Sequence, residues 1–205
     1  MITAKTSEKT YELVPAGSHI ARCIQMIEIG TVEDNFQGET KRLHKVRITW
    51  ELPLEKKVFK AEQGEMPFII SKEYTLSMHE KATLRKDLSS WRGRGFTDEE
   101  ASAFDITKLL GVPCMINVVH QVSKNGGVYA NVAGLSPLPK GLTCPDQINP
   151  TFVLSYDTWD WKKFDSLPQW LKDKIVSTPE YANVGKKTEA GTPVTAQVGQ
   201  DDLPF

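Results

Sequence analysis

At 205 residues, with 40% hydrophobic and 25% charged side chains, the chain has the composition of a soluble globular protein and enough length for one domain with appendages. No apolar run approaches the about 20 residues of a membrane span, and Met1-Ile2-Thr3-Ala4-Lys5 lacks the layout of a secretory signal, so a cytoplasmic protein without membrane attachment is expected. The net charge of -1 argues as a sum against phosphate binding, but bases outnumber acids up to Lys140 and acids outnumber bases from Gly141 onward.

In chain order, His19 to Ile29 reads as a strand closed by Gly30, with apolar residues on both faces, a pattern that fits a closed barrel. A polar loop from Thr31 to Arg42, punctuated by Gly38, leads to Lys45 to Leu52, which alternates. Val46, Ile48, Trp50 and Leu52 point inward, whereas Lys45, Arg47 and Thr49 point outward. Phe68 to Leu76 has the β-branched and aromatic content of a third strand.

Ser77 followed by Glu80 predicts a capped helix that runs to Arg92 and stops at Gly93. Leu84, Leu88 and Trp91 share one stripe of it, and Lys81, Arg85 and Arg92 the stripe beside it. Thr97 and Glu100 repeat the capping pattern for a short helix, and Ile106 to Leu110 predicts another turn. Pro113 to Val122 and Gly127 to Leu135 form a hairpin across Ser123-Lys124-Asn125-Gly126, because Asn-Gly supplies the positive φ angles of a tight turn. The order of elements predicts a mainly β fold. Its core is a five-stranded OB-type Greek-key barrel with a helix between the third and fourth strands, an architecture that commonly binds oligonucleotides.

The barrel domain is expected over residues 1–140. A small C-terminal appendage, residues 141–181, brings Phe152, Tyr156, Trp159, Trp161 and Phe164 together with a helix from Ser166 to Ile175, packed on this barrel or on a neighbour's. Residues 182–200 offer too little apolar surface to offset the entropy of ordering and are expected to be a disordered linker. The last residues, Asp201-Asp202-Leu203-Pro204-Phe205, have the chemistry of a docking peptide. Phe205 suits an apolar pocket, its α-carboxylate suits an Arg or Lys, Pro204 limits the unbound conformers, and Asp201 and Asp202 suit a basic rim.

Chemistry that needs a metal or a nucleophile finds no pattern here. Cys23, Cys114 and Cys144 are odd in number and far apart, and His19, His44, His79 and His120 lack ligand spacing, so neither a disulfide framework nor a zinc site is expected. Phosphate-loop, dinucleotide and nucleophile-turn motifs are absent. No cofactor and no enzymatic activity are expected.

The Asp201 to Phe205 tip resembles that of bacterial and phage single-stranded-DNA-binding proteins, whose tails end in acids, an aliphatic residue, Pro and Phe. Ile70 to Ser77, Leu84-Arg85-Lys86-Asp87-Leu88, Ser90 to Arg94 and Ala133 to Lys140 are similar to a narrower group of such proteins in tailed phages and prophages, over roughly residues 15–139. The resemblance implies an OB-fold accessory that coats and protects single strands during phage DNA replication, recombination or repair. It also implies work inside the bacterial host cell, with replication or recombination proteins recruited through the tip.

Single-strand binding needs cations for phosphates and aromatic faces for stacking, which tolerates any base and contributes about 1 to 3 kcal/mol each. Lys72, Tyr74, Lys81, Arg85, Lys86, Trp91, Arg92 and Arg94 cluster in one stretch, Arg47 extends the surface, and Tyr129 adds a ring on the hairpin. Trp91 and Tyr74 fit a core position as readily as a platform, and the arginines fit a solvated helix face. Two other functions stay open: a single-strand annealing or recombination accessory, and a protein-binding adaptor without DNA binding. A homo-oligomer is also left open.

Overall fold

The computed structural model describes residues 12–36 and 39–184. Gly38, all but the first three residues of the 182–200 linker and the Asp201 to Phe205 tip therefore lie outside the described residues.

Strands β1 (Gly17–Phe36), β2 (Glu39–Val58) and β3 (Glu65–Thr75) are followed by helices α1 (Thr83–Arg92) and α2 (Asp98–Ser102) and by the hairpin of β4 (Pro113–Val122) and β5 (Val128–Ser136). Strand β6 (Phe152–Leu154) and helices α3 (Trp161–Asp165) and α4 (Gln169–Val176) complete the described elements apart from short 3-10 turns. The ladder order is β3-β2-β1-β4-β5, antiparallel along this path, with β6 parallel to β1. The fold is thus mainly β with helices between the third and fourth strands. Among the described residues no ladder joins β3 to β5, so backbone hydrogen bonds do not close the sheet into a ring.

Alternation on β2 buries Val46, Ile48, Trp50 and Leu52 beneath α1, whose Leu84, Leu88 and Trp91 complete the main core with Cys114, Ile116 and Val118 of β4. Burying side chains of this size stabilises the fold by about 1.5 to 3 kcal/mol each. Helix α1 stops where Gly93 takes the left-handed conformation at φ 72° and donates its N–H to Ser90.

Its start departs from the expectation. Helix α1 begins at Thr83, and Ser77 to Ala82 form a bend. The Ser77 hydroxyl accepts from the His79 N–H, His79 Nδ1 accepts from the Lys81 N–H, and Arg85 binds the Met78 carbonyl. These local bonds compete with a helical turn. The Thr97 and Glu100 box forms as expected, each side chain accepting from the other's N–H at 3.1 Å.

Three further expectations change. The polar loop from Thr31 to Arg42 is instead a pair of strand arms that continue β1 and β2, in register from Thr31↔His44 to Phe36↔Glu39. The expected helix from Ser166 to Ile175 forms only from Gln169, as α4 with Pro168 as its N-cap, since proline disfavours a helical residue before it, and the separate short helix α3 precedes it. Strand β1 is apolar on both faces because it serves two cores: Ala21, Cys23 and Met26 face the main one, while Ile27 and Ile29 face a second built with Leu154, Phe164, Leu171 and Ile175. The appendage thus packs on its own sheet. The two come close at Gly30, where a Cβ would stand 2.7 Å from Thr178 Oγ1. Among the described residues no helix is long and apolar enough to cross a membrane.

Candidate nucleic-acid interface

The β2 and β3 strands turn a second face away from the main core. Their register pairs Thr49 with Ser71, Arg47 with Glu73 and Lys45 with Thr75 on this outer face. A polar chain crosses it, in which the Thr49 hydroxyl donates to Gln25 at 3.1 Å and shares a bond of 2.9 Å with Ser71. Glu51 lies fully buried on the same face under the segment that enters the appendage, and its carboxylate accepts the backbone N–H groups of Ile148 and Asn149 and the Asn149 amide.

Two clefts open beside this face. The first, about 630 Å³, is lined by Arg47, Phe59, Ile69, Ser71, Tyr129 and Asn149 among others. Phe59, Ile69 and Tyr129 are 51%, 55% and 43% exposed, a concentration of apolar surface in water that isolated surface residues do not make. The second, about 710 Å³, lies at the root of the β1 and β2 arms between Lys41, Thr75, His79 and Lys81. Helix α4 stands between the two: Lys174 donates to Glu73 at 2.6 Å, and the Arg47 guanidinium lies 5.0 Å from the centre of the Trp170 ring. Burial pulls the Arg47 pKa down from its ordinary value, and the carboxylate of Glu73, 3.6 Å away, opposes the shift.

The residues singled out from the sequence divide into two groups. Arg47 and Tyr129 come together at the first cleft, and Lys81 borders the second. Lys86 is exposed on α1, and Arg94, 62% exposed, pairs with Glu100 at 2.8 Å. The others are engaged inside the fold. Lys72 and the Tyr74 hydroxyl both donate to Asp87 at 2.8 Å, and Tyr74 is buried. Burial, then the charge of Asp87, drives the Tyr74 hydroxyl well above its ordinary pKa. Trp91 is buried, with its indole N–H on the Pro113 carbonyl and its ring beside Trp50. Arg85 binds Asp98 and the carbonyls of Met78 and Phe96, and Arg92 covers the Phe96 ring while pairing with Glu100.

Phe59, Ile69 and Asn149 were not singled out from the sequence. Ile69 carried a readable signal, since it sits out of phase with the inward Phe68 and Ile70. Asn149 carried none, because only the fold brings it to Glu51.

Among the described residues no group of His, Cys, Asp and Glu is arranged to hold a metal ion. No protein-family model matches the chain, and no curated protein matches it.

Proposed function

We propose that this chain is a sequence-tolerant single-stranded-DNA-binding protein with an OB-type fold, and that the strand passes along the outer face of β2 and β3. The observation that carries the reading is the first cleft. There a cation, Arg47, and an exposed ring, Tyr129, face the same groove with Phe59 and Ile69. That is the combination single strands require, charge for the backbone and flat apolar surface for bases. Strand order β3-β2-β1-β4-β5 with α1 between β3 and β4 supports the OB-type reading, and the partly open barrel of that class tolerates a missing β3 to β5 ladder. Lys81 and Lys41 at the second cleft extend the cationic track.

In this reading Lys72, Tyr74, Arg85, Trp91 and Arg92 support the face from behind, and Lys86 and Arg94 add exposed charge. The chain coats and protects single strands in phage DNA replication, recombination or repair within the bacterial host, without catalysing a reaction. Asp201 to Phe205 recruits replication or recombination proteins.

The test is a titration of a labelled oligothymidine with wild type, Arg47→Ala and Tyr129→Ala. Arg47→Ala weakens binding and lowers the slope of log affinity against log salt by about 0.7, the contribution of one phosphate contact on a single strand. Tyr129→Ala weakens binding with the slope unchanged. Wild-type affinity in both variants would remove this groove from the reading.

Two observations favour a second reading. Several expected phosphate ligands are paired with acids of the same chain, and the first cleft is largely apolar, which suits a peptide. A protein-binding adaptor predicts no affinity for the oligonucleotide at any salt concentration.

A further inference from the structure

The appendage does more than cover β1. It sets a tryptophan, Trp170, on the outer face of β2 between the two clefts. Helix α4 is seated by Leu171 and Ile175, which are 2% and 0% exposed, and it is fixed at its far end by the Lys174 to Glu73 bridge. On this anchored helix Trp170 remains 51% exposed beside a buried neighbour, so the packing of α4 does not account for it. The other strongly exposed tryptophan, Trp161, has its ring edge-on to Trp159, Phe164 and Tyr181 within the aromatic cluster. Trp170 has no aromatic partner among the described residues, and its ring contact is the Arg47 guanidinium.

We infer that Trp170 is a base-stacking platform supplied by the appendage, so that residues 141–184 are part of the nucleic-acid site. This rests on the single-strand reading above and adds to it a subsite outside the barrel. The chemistry follows from the neighbours. Arg47 placed against the indole offers a phosphate partner within reach of a base lying on the ring. A guanidinium held there by Glu73 also pre-orients the pair. Stacking does not distinguish bases, which fits sequence-tolerant binding. Tyr129 and Phe59 then serve the bases in the first cleft and Trp170 the base that crosses toward Lys81 and Lys41.

The experiment titrates labelled oligothymidine with the full chain as wild type, Trp170→Ala, Trp170→Phe and, as a control outside the face, Trp161→Phe, each checked for folding by urea unfolding. Trp170→Ala is expected to weaken binding by about 5- to 150-fold, the equivalent of one stacked base, with the salt slope unchanged. Trp170→Phe is expected to recover part of that loss, and Trp161→Phe to match wild type. Equal affinity of Trp170→Ala and wild type, both binding, overturns the platform and leaves the single-strand reading standing. A loss accompanied by a lower salt slope assigns the effect to a displaced Arg47 and also overturns it. No binding by wild type overturns the single-strand reading and the platform with it.

Discussion

The buried carboxylate of Glu51 holds Asn149 twice, accepting its backbone N–H at 2.8 Å and its side-chain amide at 2.7 Å. With the Ile148 N–H on the other oxygen, this carboxylate accepts three N–H bonds, and it ties the chain entering the appendage to the centre of β2.

Glu51→Gln replaces one acceptor by an amide donor aimed at these N–H groups. The loss is expected to be about 2 to 3 kcal/mol, the cost of breaking bonds to a charged acceptor and leaving buried donors unpaired. Urea unfolding of the variant checks it, and a midpoint equal to that of wild type would show that the segment is not held there.

Asp87 and Trp91 are expected to act on stability and not on binding by the folded molecule. Asp87→Ala removes the acceptor shared by Lys72 and Tyr74 and leaves an ammonium poorly hydrated, at about 3 to 5 kcal/mol. Trp91→Ala opens a cavity beside Trp50 at a similar cost of about 3 to 5 kcal/mol. Lys86→Ala, on an exposed side chain, is expected to stay within about 0.5 kcal/mol of wild type. Comparing unfolding midpoints with DNA affinities measured well below the transition separates the two effects.

Acid should loosen the short helix α2 through its cap. Bonds from Arg94, then the Thr97 N–H, then Arg92 hold the Glu100 carboxyl at about 2, below the free value of 4.5. A folded pKa below the unfolded one means that ionisation favours the fold. The contribution is therefore complete above pH 4.5 and fades as pH falls toward about 2. Carboxyl-carbon NMR of Glu100 should show titration at the low value, and Glu100→Gln should remove the corresponding pH dependence of amide protection in α2. A Glu100 that titrates at its free value would contradict the cap.

What could be read from the sequence follows a physical rule. Val46, Ile48, Trp50 and Leu52 were legible because one face of β2 is buried and the other is polar, so the period of two is written in residue type. Gly93, the Asn125-Gly126 turn and the Thr97 to Glu100 box were legible because each is satisfied by near neighbours. Beyond Thr31 the β1 and β2 arms carry polar residues on both faces, and no period marks them. Strand β6, three residues long, is too short to carry one.

The site was legible in the same partial way. Alternation alone placed Arg47 outward, and the structure agrees. The pairing of Lys72 with Asp87 joins β3 to α1, and that of Arg92 with Glu100 joins α1 to α2, so no pattern within a single element marks these charges as paired. Trp170 precedes a residue that seats α4, but the ring's position over β2 depends on packing between elements far apart in the chain.

Single-strand binding is tested by a competition in which the full chain is offered single-stranded and double-stranded DNA of one length and sequence, at two salt concentrations, with complexes separated by gel mobility. Preferential capture of the single strand, weakening as salt rises, is the result expected of a charged and aromatic groove. No capture of either form, or a preference for the duplex, would contradict the account and leave the outer face of β2 and β3 as a surface for protein.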